Sequence, residues 1–342
     1  MADVNAGKRG IDPIVKRLLR LFVALLSFAP ASAWAAEKLV TIQSSRVISQ
    51  SMPWIAQEAG LFKKYDLDFQ LVYIASSGLV TAALLGGDAQ MTLTGGVGNV
   101  RGYLQGATDL VFVGSVKNFM TQTIVAGGSI KRLEDLKGKK IGVTRIGGNS
   151  HYFTIQVLRR VNMEPGRDFS FIQTGGDEGT LAALIAGGID GATLTAPNDA
   201  QAIALGYRYL VYGADLKIPY AAAAFVTLRS VIAKRPHVIG QFMRAMAEAA
   251  KVLHTDREFV YKVFGKQLRL TDRKILDAAY NAEIKALEPR MVLKNEALQA
   301  ILDEVAQTDA RAKKIKPQEL IDNRYLDEME KSGFFDQLWA KK

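Results

Sequence analysis

Apolar residues in this chain gather into short runs that alternate with polar, glycine-bearing loops. Residues 39–43 (Leu-Val-Thr-Ile-Gln) and 140–144 (Lys-Ile-Gly-Val-Thr) suit buried parallel strands. Each leads into a polar loop and then a helix, starting near Ser51 in one case and near Asn149 and Ser150 in the other. Ser and Asn are good N-caps, and Pro53 is tolerated in a first helical turn. Strand-like segments follow at 69–74 and 169–173. Each meets a small polar turn: Ser-Ser-Gly at 76–78 and Thr-Gly-Gly-Asp at 174–177.

The two series match in detail. Residues 82–94 (Ala-Ala-Leu-Leu-Gly-Gly-Asp-Ala-Gln-Met-Thr-Leu-Thr) align with 182–195 (Ala-Ala-Leu-Ile-Ala-Gly-Gly-Ile-Asp-Gly-Ala-Thr-Leu-Thr) after one inserted residue. The order strand, loop, helix, strand, loop, helix, strand thus occurs twice. Such alternation predicts an α/β fold of two similar Rossmann-like lobes, each a parallel-type sheet with helices on both faces. Ligands sit beyond the carboxyl ends of strands in open α/β sheets. Two facing lobes therefore bring four loops to one cleft.

Helix-then-strand units extend each lobe, at 98–106 and 110–114 and again at 198–206 and 207–212. A strand at 123–126 carries the chain toward the second lobe, and 222–228 reads as the return. Two crossings make a two-strand hinge near 123–126 and 220–226, suited to closure around a ligand. Residues 127–139 read as a turn and a short surface helix. From Val231 onward the pattern is helical: Ile239, Phe242, Met243, Met246 and Ala250 form one stripe, and Leu298, Ile301, Leu302 and Val305 another. Further helices fit 256–264, 271–287 and 324–339.

Composition narrows the options. The 342 residues exceed one ordinary core and suit two lobes. There are no cysteines, which removes disulfides, thiolate metal sites, a cysteine nucleophile and a lipidated cysteine anchor. The formal net charge is +10; five basic against two acidic residues in 1–35 supply +3, leaving +7. No basic run is dense enough for nucleic-acid binding. At the N-terminus, Lys-Arg-Leu-Leu-Arg at 16–20 precedes a short apolar run at 21–29 and Ala-Ser-Ala-Trp-Ala-Ala at 31–36. That is the order of a cleaved secretory signal, with cleavage after Ala33 or Ala35. It predicts an exported, periplasmic chain.

Residues 55–69, which read Ile-Ala-Gln-Glu-Ala-Gly-Leu-Phe-Lys-Lys-Tyr-Asp-Leu-Asp-Phe, resemble the opening of ABC-transporter substrate-binding proteins of the nitrate, sulfonate and taurine type. The same signature marks relatives that bind thiamine pyrimidine precursors. Residues 133–143 resemble the segment that opens their second lobe, and 85–91 their small-Gly-x-x-Asp turn. The resemblance covers residues 38–230. It implies a type II periplasmic-binding fold, with lobe one from 37–123 plus 222–342, lobe two from 124–221, and the helical C-terminal part packed on lobe one. It also implies delivery of a small molecule to an inner-membrane permease and its ATPase, by a chain that works as a monomer.

Four helix starts face the expected cleft: Ser49 to Ser51; Ser76, Ser77 and Gly78; Thr144 with Gly148, Asn149 and Ser150; and Thr174 with Gly175 to Asp177. Free N–H groups there favour anions; ordinary capping is the competing reading. The loops after the third strands, Thr94, Gly95 and Gly96, and Thr195, Pro197 and Asn198, are further candidates. Arg46 and Arg145 follow the first strand of each lobe and suit bidentate anion pairing, against a solvated or structurally paired role. Tyr220 suits ligand stacking or hinge packing equally. Helix starts and arginines favour a small organic anion such as a sulfonate or carboxylate; the Ser, Thr, Asn and Gly content also suits a neutral heteroaromatic. No cofactor or metal is expected, because the histidines are scattered and no nucleophile or phosphate-loop motif occurs. A thiamine-pyrimidine-synthase-like enzyme and a sensory ligand-binding module remain the alternatives on this fold.

Overall fold

The computed structural model describes residues 36–340; the secretory signal expected at 1–35 lies outside the described residues. Two five-stranded mixed sheets form the frame. The first contains β1 (Glu37–Gln43), β2 (Leu67–Tyr73), β3 (Met91–Thr94), β4 (Leu110–Phe119) and β10 (Pro219–Leu228), in the order β2-β1-β3-β10-β4. The second contains β5 (Thr123–Ala126), β6 (Lys140–Val143), β7 (Ser170–Gln173), β8 (Gly191–Leu194) and β9 (Arg208–Tyr212), in the order β7-β6-β8-β5-β9. Both halves of the sequence repeat thus fall in equivalent places of two separate sheets. Helix α2 (Ser77–Gly86) feeds β3, and α5 (Asp177–Ile185) feeds β8.

The burial pattern explains the match. Met91, Thr92, Leu93 and Thr94 are all buried, as are Gly191, Ala192, Thr193 and Leu194, because β3 and β8 lie inside their sheets. Helix α2 buries Ser77, Val80, Thr81 and Leu84, one face at helical spacing. Each Gly-Gly turn closes a helix with a left-handed residue: Gly87 has φ 85° and Gly187 φ 72°, conformations that cost glycine no Cβ clash.

Neither sheet is wholly parallel. In each, the three repeat strands run parallel, while β10 or β5 is inserted antiparallel beside the third. Alternation within the repeat does not reveal this, since β10 comes from far downstream. The crossings also differ in detail from the expected hinge. Residues 123–126 lie inside the second sheet and 220–226 inside the first. The chain passes between sheets at 120–122 and 217–218. The Met120 N–H donates to Ile218 O at 2.9 Å and ties the two crossings together.

The longer helices of the C-terminal part, α7 (Pro236–Thr255), α8 (Arg257–Leu268), α9 (Arg273–Ile284), α10 (Asn295–Val305), α11 (Arg324–Lys331) and α12 (Phe334–Trp339), follow α1 (Met52–Glu58), α3 (Gly96–Leu104), α4 (Asn149–Leu158) and α6 (Asn198–Ala204). Both hydrophobic stripes read from the sequence are buried faces, of α7 and α10. Phe225 of β10 meets Phe242 of α7 edge-on, with ring centroids 5.6 Å apart. The helix expected at 324–339 breaks at Gly333, which has φ 71°. The C-terminal part also reaches the second lobe: Arg159 pairs with Glu304 at 3.2 Å, and Tyr152 donates to Ala300 O.

Candidate functional site

A polar cavity of about 50 Å³ lies where the carboxyl ends of the two sheets' parallel strands meet. From the first lobe come Ser44 and Ser45 after β1, Ser49 and Gln50, and Ala75, Ser76 and Ser77 at the start of α2. From the second come Thr144, Asn149 and Ser150 around the start of α4, Gly176 and Asp177 at the start of α5, and Thr195 after β8. Lys117, Gln122 and Ala222 close the crossing side.

Hydrogen bonds within each lobe hold the walls. Gln50 Oε1 accepts from the Ser44 and Ser45 N–H groups at 3.1 and 3.0 Å, and Gln50 Nε2 donates to Ser44 Oγ. In the second lobe the Thr144 N–H donates to Ser150 Oγ at 3.0 Å, so Ser150 holds the strand end instead of capping its own helix. Asn149 is likewise the first helical residue; its Oδ1 accepts from Tyr220 Oη at 2.7 Å.

Two charged groups reach the cavity wall. Lys117 Nζ donates to Glu283 Oε2 at 2.8 Å, with both side chains 2% exposed, and to Thr121 Oγ1 at 2.5 Å; Thr121 also bonds Glu283. This pair is neutral as a unit. Asp177 is 7% exposed, and Ser45 Oγ donates to its Oδ2 at 2.5 Å across the lobes. Burial pushes the Asp177 carboxyl up to about 6, opposed by the Ser45 hydroxyl, with Glu178 raising it further. Among the described residues, Asp177 has no ion-pair partner. Two more buried atoms on this wall have no hydrogen-bond partner: Ser77 Oγ and Gln122 Oε1.

Of the residues singled out in the sequence, Ser49, Ser76, Ser77, Thr144, Asn149, Ser150 and Thr195 line this cavity. Others stand elsewhere. Arg46 stacks its guanidinium 4.7 Å over the Tyr73 ring and faces outer grooves, where Pro197 and Asn198 also lie. Arg145 and Gly78 line a separate groove at the lobe seam. The two arginines that favoured an anionic ligand are therefore outside the cavity. Ser51 and Thr94 are buried, Thr94 in the sheet opposite Ala224. Thr174 bonds Val143 O and Thr180, holding a turn whose φ of 90° falls on Gly175. Gly95 and Gly148 pack backbone between lobes and loops, and Gly96 leaves room for Ile301 and Ala221. Tyr220, fully buried, accepts from the Val97 N–H and stands 4.8 Å from the Tyr152 ring; it packs the crossing and stacks on no open surface.

The helix starts read from the sequence at 49–51 and 175–177 also contain Gln50, Gly176 and Asp177 of this cavity; Ser44, Ser45, Lys117 and Gln122 were missed. The two serines directly follow β1, so position at the strand end was their available signal. Lys117 and Gln122 had none, because the antiparallel pairing of β4 with β10 decides where Lys117 lies and the crossing after β4 decides where Gln122 lies.

With the geometry in place, comparison with known proteins gives a consistent result. A protein of Bordetella bronchiseptica RB50 is 21% identical, over 86% of this chain and 98% of that one, with a TM-score of 0.76. The alkanesulfonate-binding protein SsuA of Xanthomonas axonopodis pv. citri, bound to MOPS, is 20% identical over 84% and 99% of the two chains, with a TM-score of 0.70. The periplasmic nitrate-binding protein NrtA of Synechocystis PCC 6803 is 16% identical over 90% and 92%, with a TM-score of 0.71. At these identities the likeness is one of fold: this is a two-lobed α/β chain of the periplasmic-binding kind. No curated protein sequence matches it significantly. The NMT1/THI5-like family model matches residues 51–258, more than half of the chain, and the protein belongs to that family.

Proposed function

We infer that this protein is the extracytoplasmic solute-binding component of an ABC importer. It captures one small molecule between its lobes and presents the closed form to a membrane permease and its ATPase. The lobe bounds expected from the sequence shift to the sheets: lobe one is residues 37–119 with 219–342 and lobe two 123–216, because Thr123 pairs with Tyr212 in the second sheet and Pro219 with Phe119 in the first; they close about the crossings at 120–122 and 217–218. The single observation that carries this reading is the polar cavity walled jointly by the strand ends of both sheets. A site shared between two lobes is created by closure and lost by opening, which couples occupancy to shape. The basic, apolar, small-residue N-terminus supports export to the periplasm, and one chain suffices for the task.

The role in this reading is binding without turnover. Native mass spectrometry of the chain purified from its host periplasm is the test. It should show one chain carrying one small solute, released unchanged on unfolding. A chemically altered solute moves the protein to the enzymes of the same fold, and a chain that carries and accepts no solute overturns the reading.

A further inference from the structure

The charges of the cavity identify the class of solute. Its wall holds two ionisable side chains: Lys117, matched by Glu283, and Asp177, matched by no cation among the described residues. Buried carboxylates are retained where something compensates them. Ser45, the Thr195 hydroxyl and the residue's own N–H supply neutral donors, but none of them is a cation, and two carboxylate oxygens with about four acceptor sites keep capacity for one more donor. Gln122 Oε1, on the same wall, is buried and accepts from nothing. A ligand that fills this space must bring donors and positive charge. An anion would face an unpaired carboxylate instead.

Helix starts pull the other way, and their strength decides how far. A helix N-terminus carries roughly half a unit of positive charge. Asp177 itself occupies the first residue of α5 and consumes that end. The starts of α2 and α4 remain, beside Ser77 and Asn149, and their N–H groups suit acceptor atoms at another point of the ligand.

We propose that the cavity takes a small ligand bearing a cationic N–H group, an ammonium or amidine-type nitrogen, seated on Asp177 with Gln122 as second acceptor. This rests on the reading of the chain as a binding protein. The volume of about 50 Å³ limits the enclosed part to a few non-hydrogen atoms.

The test uses three compounds of equal length: 3-aminopropan-1-ol, β-alanine and 3-hydroxypropionate, each titrated at up to tens of millimolar near neutral pH, read by calorimetry and thermal shift. Both amines should bind and raise the midpoint, and 3-hydroxypropionate should not. Asp177→Asn, which keeps the Ser45 contact, should weaken amine binding by about tenfold or more. Gln122→Met provides a second, independent loss should Asp177→Asn fold poorly. Binding of 3-hydroxypropionate as tight as that of the amines overturns the inference while leaving the binding-protein reading intact. Silence of both amines, or undiminished amine binding in both variants, also overturns it. The carried solute seen by mass spectrometry judges the binding-protein reading separately.

Discussion

Asn149 lies directly on Gly95: a Cβ added at Gly95 would stand 2.0 Å from Asn149 Nδ2 and 2.1 Å from its Oδ1. The contact joins the loop after β3 to the start of α4, and so joins the two lobes. Tyr220 fixes the other side of Asn149 through its hydroxyl. Gly95→Ala should therefore obstruct closure more than folding. Solute affinity should fall by about tenfold or more, the cost of a displaced lobe contact, with the thermal midpoint of the empty protein nearly unchanged. Unaltered affinity in calorimetry would show that the lobes close without this contact.

Asp177 makes stability depend on pH in a defined direction. Its folded value of about 6 exceeds the ordinary 3.8, so the folded state binds more protons between those limits. The stability tied to its protonation is full below about 3.9 and lost as pH rises through about 6. Asp177→Asn removes that loss. Relative to the parent, the variant should gain on the order of 3 kcal/mol between pH 4 and pH 7, read as a widening gap in denaturation midpoints. Asp199, also raised to about 6 by burial, is common to both proteins and cancels. A gap independent of pH would contradict the assignment.

The Lys117–Glu283 pair offers a test of a different kind. Both groups are buried, so removing one partner strands the other charge. Glu283→Gln should cost about 3–5 kcal/mol, measured by urea unfolding. Replacing both with apolar residues, Lys117→Met with Glu283→Leu, should recover most of that. Equal losses from the single and double variants would show that the pair's charges are not what matters there.

Tyr220→Phe removes one hydroxyl and no packing volume. It leaves the Val97 N–H and Asn149 Oδ1 without their shared partner, for about 1–3 kcal/mol. A loss under 0.5 kcal/mol, about the noise of such measurements, would mean that water takes over both bonds.

Much of this was legible in the chain because the repeat encodes local chemistry. The runs at 39–43 and 140–144 and the doubled Ala-Leu-Gly-Gly phrase specify strands, helices and their order without reference to distant residues. The helical stripes at 239–250 and 298–305 read as cleanly, since a single buried face suffices to define them. What stayed hidden depends on pairing across long separations. Nothing near 220 announces that β10 enters the first sheet antiparallel, and so nothing placed Lys117 or Gln122 at the cavity. Arg46 and Arg145 misled for the same reason. Both follow first strands as expected, yet the loops turn their side chains to Tyr73 and to the lobe seam.

The central claim is that the lobes close over a solute, and the distance between them tests it most directly. The chain has no cysteine, so spin labels at Leu85→Cys and Ile146→Cys report alone; both sites are exposed and face each other across the seam groove. The protein is stripped of solute by unfolding and refolding, then measured before and after return of the stripped extract. The account predicts a broad, longer distribution that shortens and narrows when the extract is restored. Distributions that coincide with and without the extract would contradict it.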